Sequence, residues 1–252
     1  MKSAPEGEAD PPLPVIAGLE GLAANEDFGP RLAALVHDLC ALQPDDRVLD
    51  VGSGIGRVAR PLTQYLGPNG AYEGLDIVAE AVGWCTDHIT SAHPNFRFRH
   101  APVHNDRYND AGVLKDSEYA FPYDDASFDV VILTSVFTHM LPAGVSQYVR
   151  QIARVLRPGG HALITMFLLN AEADRLRVLP GSAFSFPNDR GVYSIQRVDP
   201  PEAAVAYRED FVRGLFHTHG LDEQIHYGSW CGRLEHLDLQ DVLVSVRADT
   251  RA

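Results

Sequence analysis

Two runs of consecutive apolar residues, Val130 to Leu133 and Ala162 to Ile164, stand out from a chain whose apolar positions otherwise recur at helical or alternating spacing. Continuous runs of this length suit strands covered by helices on both faces, as in a parallel sheet. Around them, strands are predicted near 47–51, 71–77, 96–101, 128–134, 161–168, 223–230 and 240–247, with helices near 55–66, 79–91, 143–157 and 209–219. Ahead of the first strand, Leu32, Leu35, Val36 and Leu39 fall at helical spacing after Pro30, which predicts a leading helix over Pro30 to Leu42 packed beside the sheet. The alternation predicts an α/β fold: a doubly wound, seven-stranded, mostly parallel sheet whose last two strands form an antiparallel edge hairpin. Pro61 falls inside the predicted 55–66 helix. A proline there costs about 3 kcal/mol or kinks the helix, so a bend or a late helix start is expected.

In such sheets ligands bind outside the carboxyl ends of the strands, where the strand order reverses. The loop after the first strand reads Asp50-Val51-Gly52-Ser53-Gly54-Ile55-Gly56-Arg57. Closely spaced glycines make a turn whose bare backbone can approach a ligand. A dinucleotide fingerprint would place its third glycine where Arg57 stands, and a pyrophosphate would meet the nearby Asp50. A cationic ligand would be welcomed there. The next strand ends in Asp76, 26 positions after Asp50, close to the spacing of about 20 at which α/β nucleoside sites place a ribose-binding acid.

Together with Ser127 to Ser135, and with Arg154 to Thr165 through Arg157-Pro158-Gly159-Gly160, these segments resemble the class I S-adenosylmethionine-dependent methyltransferases, closest to the bacterial small-molecule group. The resemblance implies a Rossmann-like fold, S-adenosyl-L-methionine as cofactor and S-adenosyl-L-homocysteine as product. It places Asp50 near the cofactor's amino acid end, the loop Gly52, Ser53 and Gly54 against the cofactor, Asp76 on the ribose, Ile77 on the adenine, and Thr134 and Ser135 beside it after the fourth strand. Where relatives carry an acid for the adenine amino group, this chain has Pro102, leaving Val103, Asn105 or Asp106 for that contact.

His139, in the stretch that follows the fourth strand, is the candidate general base for a hydroxyl or amine acceptor, and Phe137 a substrate contact. The connection over 169–208 is long for a compact domain, which predicts a lid or acceptor cap. Tyr227, Trp230 and Arg233 follow the sixth strand and are expected to wall the acceptor pocket. No carboxylate ends the fourth strand and no His/Asp/Glu grouping has ligand spacing, so no metal is expected. Nor does the [N/D]-P-P-[Y/W] element of amino-methylating nucleic acid enzymes follow that strand.

The net charge of −13 opposes nucleic acid and anionic lipid as partners. Cys40, Cys85 and Cys231 lack C-x-x-C spacing and are read as reduced thiols. No apolar run is long enough to span a bilayer, and no leader pattern precedes the domain, so a cytoplasmic protein is expected. Residues 1–14 are acidic and proline-rich and are read as a disordered lead-in to a single domain over 15–252. A small-molecule acceptor is expected, a sugar-bearing or phenolic natural product among the candidates, and a homodimer is compatible with the sequence. The competing readings are a silent S-adenosylmethionine-binding partner subunit and a NAD-dependent oxidoreductase, the latter opposed by Arg57.

Overall fold

The computed structural model describes residues 27–249, so the lead-in expected at 1–14 lies outside the described residues. In chain order the strands are β1 (Arg47–Val51), β2 (Ala71–Asp76), β3 (Phe96–His100), β4 (Phe128–Leu133), β5 (Leu156–Met166), β6 (Leu168–Leu169), β7 (Asn188–Asp189), β8 (Tyr193–Ile195), β9 (Val205–Arg208), β10 (Leu221–His226) and β11 (Asp241–Arg247). Seven of them form one sheet in the order β10-β11-β5-β4-β1-β2-β3. The pairs β1–β2, β1–β4, β2–β3 and β4–β5 are parallel, while β11 runs antiparallel to both β10 and β5. The predicted doubly wound sheet with its edge hairpin is what the chain forms. Strand order reverses between β1 and β4, so the crevice outside their carboxyl ends is the place for a ligand.

Residues of each central strand alternate between two apolar clusters, as the pleat requires. Leu49, Val131, Leu133 and Ile164 face the cluster completed by helices α4 (Pro142–Val155) and α6 (Glu209–Thr218). Val48, Val130, Ile132 and Leu163 face the cluster completed by α1 (Phe28–Cys40), α2 (Ala59–Leu62) and α3 (Ala79–Cys85). Both faces are covered, which explains the unbroken apolar runs. Pro61 has the effect expected of it: the α-helical segment predicted from 55 begins only at Ala59 and ends at Leu62. There the proline occupies the first turn, where the missing N–H has no intrahelical partner to lose.

The 169–208 segment holds more structure than an open connection. It contributes α5 (Ala171–Leu176), capped by the Asn170 side chain accepting from the Ala173 N–H at 2.9 Å, and most of a second sheet in the order β6-β9-β8-β7. Between the two sheets, Trp230 is fully buried against Phe167 and Phe186, and its indole N–H donates to Asp241 Oδ2 at 2.7 Å. Asp241 also accepts from the N–H groups of Leu168 (2.7 Å) and Gly228 (2.8 Å), so one carboxylate ties both sheets. Burial pushes its carboxyl up to about 6 despite these donors. Trp230→Ala is expected to lower stability by about 3–5 kcal/mol, because it opens a cavity and strips a donor from a buried charge. Chemical denaturation measures this, and a loss under about 1 kcal/mol would mean that the indole does not join the sheets.

Candidate active site

The glycine turn hangs from the end of β2. The N–H groups of Gly52 and Ser53 donate to the Leu75 carbonyl at 2.7 and 3.3 Å, and the Gly54 N–H donates to Asp76 Oδ2 at 2.6 Å. Gly52 adopts φ 80°, and a Cβ there would collide with Val136 Cγ2, so both conformation and close approach demand glycine. Asp76 Oδ1 meanwhile accepts from the Val78 N–H at 2.8 Å, at the start of α3. Burial raises the Asp76 carboxyl above its ordinary range, and these backbone donors oppose the rise.

Asp50 is also buried, on β1. Its Oδ2 accepts from the Tyr72 hydroxyl, while Oδ1 has no partner among the described residues. Burial pushes this carboxyl up to about 7; the Tyr72 hydrogen bond and nearby Arg57 lower it, and Asp76 raises it. The Arg57 guanidinium lies 3.8 Å from the Phe28 ring centroid, and burial draws it down to about 10. Ser53 Oγ is a second buried polar atom without a partner. Asp50, Ser53, Arg57 and Phe28 line a cavity of about 380 Å³, together with Gly52, Gly54, Asp76 and Ile77.

The wall after β4 carries Thr134, Ser135 and Val136. Ser135 adopts φ 59°, an unusual conformation for a residue with a side chain, held by three hydrogen bonds: its N–H to Thr165 Oγ1 (2.8 Å), Gln240 Nε2 to its Oγ (3.0 Å) and Thr138 Oγ1 to its carbonyl (2.8 Å). Such strain of about 1–3 kcal/mol persists where the surroundings fix it, often at functional sites. His139, in the 3₁₀ turn Phe137–His139, lines the same cavity. Its Nδ1 is 3.0 Å from the Glu202 carbonyl, which can only accept, so Nδ1 carries the proton and Nε2 keeps its lone pair. The Tyr108 hydroxyl lies 3.3 Å from Nε2. Burial lowers the His139 pKa, keeping the imidazole neutral.

Val103 and Asn105 line the cavity, but their polar groups serve the protein: the Val103 carbonyl accepts from Asn109 Nδ2 (2.8 Å), and Asn105 Nδ2 donates to Glu202 Oε2 (2.9 Å) and the His139 carbonyl (3.2 Å). Asp106 is exposed and paired with His104. Four expected substrate residues lie away from the cavity. Phe137 is fully buried in the core beneath the sheet's exit loop. Trp230 joins the sheets as described above. The Tyr227 hydroxyl donates to Glu209, and Arg233 is buried in ion pairs with Glu172 and Asp241, its guanidinium 4.6 Å from the Tyr227 centroid. Their position after the sixth strand suggested a pocket wall, but the second sheet intervenes and absorbs them. Phe28, Asp116, Tyr148 and Gln240, which line the cavity, gave no sequence signal. Among the described residues no group of three or more His, Cys, Asp or Glu is arranged to hold a metal, and no helix is long and apolar enough to cross a membrane.

A methyltransferase domain family matches residues 24–203, and the chain belongs to it, as a class I S-adenosylmethionine-dependent methyltransferase. It is 32% identical over 162 residues to 27-O-demethylrifamycin SV methyltransferase of Amycolatopsis mediterranei, covering 62% of this chain and 53% of that one. To the fatty-acid O-methyltransferase of Mycolicibacterium smegmatis it is 29% identical over 163 residues, covering 63% and 49%. The chain thus spans about half the length of these two relatives, and less of others: 35% of the arsenite methyltransferase of Aquipseudomonas alcaligenes. Among solved structures, geranyl diphosphate C-methyltransferase of Streptomyces coelicolor, in complex with magnesium, geranyl diphosphate and S-adenosylhomocysteine, superposes with TM-score 0.59 at 12% identity, over 92% of this chain and 84% of that one. That likeness is one of fold.

The cavity fits S-adenosylmethionine on its own chemistry. The unpartnered Asp50 oxygen suits a cationic amino acid end, and the unpartnered Ser53 hydroxyl can bond the same ligand. Asp76→Ala is expected to weaken S-adenosylhomocysteine binding at least tenfold in calorimetry, since a hydrogen bond to a charged group contributes about 1.5–3 kcal/mol; unchanged affinity in a folded variant would exclude the contact. Affinity should also rise with pH and level off above about 7, because a cation pairs with Asp50 only when it has lost its proton. Asp50→Asn should flatten that profile.

Proposed function

We propose that the chain transfers the methyl group of S-adenosylmethionine to a hydroxyl of a small metabolite, with His139 as general base and no metal. The observation that carries this reading is the 3.0 Å contact of His139 Nδ1 with the Glu202 carbonyl, which puts the proton on Nδ1 and leaves Nε2 at the cavity wall as the acceptor, where an acceptor hydroxyl would take the place of the Tyr108 hydroxyl 3.3 Å away. The cofactor supplies an already activated methyl group. Asp76, the glycine turn and Asp50 would hold it, Ser135 and Thr134 would shape the wall beside it, and alignment with the acceptor contributes ~7–11 kcal/mol toward the barrier. His139 Nε2 would accept the hydroxyl proton as the new carbon–oxygen bond forms, an effect of roughly 10²- to 10⁴-fold. Methylation on oxygen, named in the two relatives, supports an oxygen acceptor over an amine, and a base at the cavity wall suits a hydroxyl among oxygen acceptors. The 169–208 segment would act as a brace, through the carbonyl that Glu202 presents to His139.

His139→Ala is expected to lower kcat by about 10²-fold or more with cofactor affinity nearly unchanged. In the parent enzyme kcat should fall as pH drops through a value below the ordinary 6.5, since burial depresses this imidazole and only its neutral form accepts a proton; the variant should lack that limb. Turnover should also survive chelator treatment. Retained turnover in a destabilised His139→Ala variant would remove the base from the mechanism. Tight cofactor binding without transfer to any hydroxyl would favour the partner-subunit reading.

A further inference from the structure

Beyond His139, the cavity holds polar groups that methyl transfer itself does not use. Tyr148, on α4, is only 4% exposed and lines the cavity. Its ring is fixed edge-on against Phe121, centroids 5.1 Å apart, and its hydroxyl has no hydrogen-bond partner among the described residues. A phenol that makes no bond to the protein at a cavity wall keeps both its donor and its acceptor capacity for what enters the cavity. One turn earlier on the same helix face, at Gly144, lies the Asp116 carboxylate, and a Cβ on residue 144 would collide with its Oδ2. Asp116 Oδ1 accepts from the Ser117 N–H at 2.6 Å, whereas Oδ2 accepts from no described donor, and the residue lines the same cavity.

We propose that Asp116 and Tyr148 form an acceptor subsite that binds a protonated amine carried by the methyl acceptor. An ammonium offers three donors to match the free carboxylate oxygen and the phenol oxygen. Of the arginines on the cavity wall, Arg57 lies over Phe28, and Arg107 lies against Tyr108, guanidinium and ring centroid 5.1 Å apart, where its charge acts on His139. Asp116 raises the pKa of both Tyr148 and Glu202, so the local field is negative. The net charge of −13 adds long-range attraction for cations. The inference rests on the methyl-transfer reading, which it extends to the acceptor's class: a hydroxylated amine.

The test uses three phenols that share a ring and differ at the end of a short side chain: tyramine with an ammonium, tyrosol with a hydroxyl and phloretic acid with a carboxylate. Each is titrated by calorimetry into the protein saturated with S-adenosylhomocysteine. Tyramine should bind roughly tenfold or more tighter than either of the others, as expected for a charge-assisted contact. Asp116→Asn should bring tyramine level with tyrosol, and Tyr148→Phe should weaken tyramine several-fold, both with S-adenosylhomocysteine affinity unchanged. No preference for tyramine, no binding of any of the three, or a preference that survives Asp116→Asn overturns the subsite. Failure to bind S-adenosylhomocysteine at all would instead strike the methyl-transfer reading.

Discussion

The cavity takes its shape from the Asp76 carboxylate. The parallel register that sets Val51 against Leu75 leaves Asp76 one residue past the last ladder pair, beside the glycine turn. From there one oxygen holds the Gly54 N–H and the other the Val78 N–H, so the loops after β1 and β2 form one hydrogen-bonded unit. A neutral side chain could not serve two backbone donors so well, and losing the carboxylate would orphan N–H groups at a buried site. The turn's left-handed glycines are affordable because this clamp selects that conformation from the many glycine can adopt.

The two ends of the cavity are organised differently. At the Asp50 end, charge is carried by side chains that the protein leaves partly unsatisfied. At the His139 end, most polar atoms are committed: Asn105 joins the loop after β3 to Glu202 and to the His139 carbonyl, and Glu202 fixes the imidazole tautomer. The second sheet contributes no cavity-lining side chain, yet it carries the turn that presents Glu202. Its link to the cavity runs through orientation of the His139 imidazole, the way outer-shell groups orient metal ligands.

The main sheet was legible because short continuous apolar runs such as Val130 to Leu133 alternate with longer stretches at helical period such as the one that becomes α4, so length and alternation together separate strand from helix. The glycine turn and Asp76 were legible because their chemistry is local to a strand end. The second sheet was not, since β6, β7 and β8 are two or three residues long and carry no readable period. Without that layer Trp230 and Arg233 read as a ligand wall, whereas Trp230 packs in the aromatic cluster between the sheets and Arg233 is held by Glu172 and Asp241. Tyr148 was hidden for the opposite reason: on the apolar face of α4 it reads as core, and only its unpaired hydroxyl betrays the cavity.

The electrostatics of the Asp50 end explain why a fold would keep such a costly arrangement. Asp50 and Asp76 are both buried, burial raises both carboxyls, and Asp76 raises Asp50 further, so an apolar pair of similar volume would pack more stably. Because the Asp50 carboxyl is raised from the ordinary 3.8 to about 7, its burial favours the protonated form, and the free protein loses that contribution to stability as pH rises through this window. A cation at Oδ1 reverses the sign, since it favours the ionised form and offsets the desolvation. The cost of burying the Asp50 charge would thus favour a cationic ligand at this end of the cavity over a neutral or anionic one.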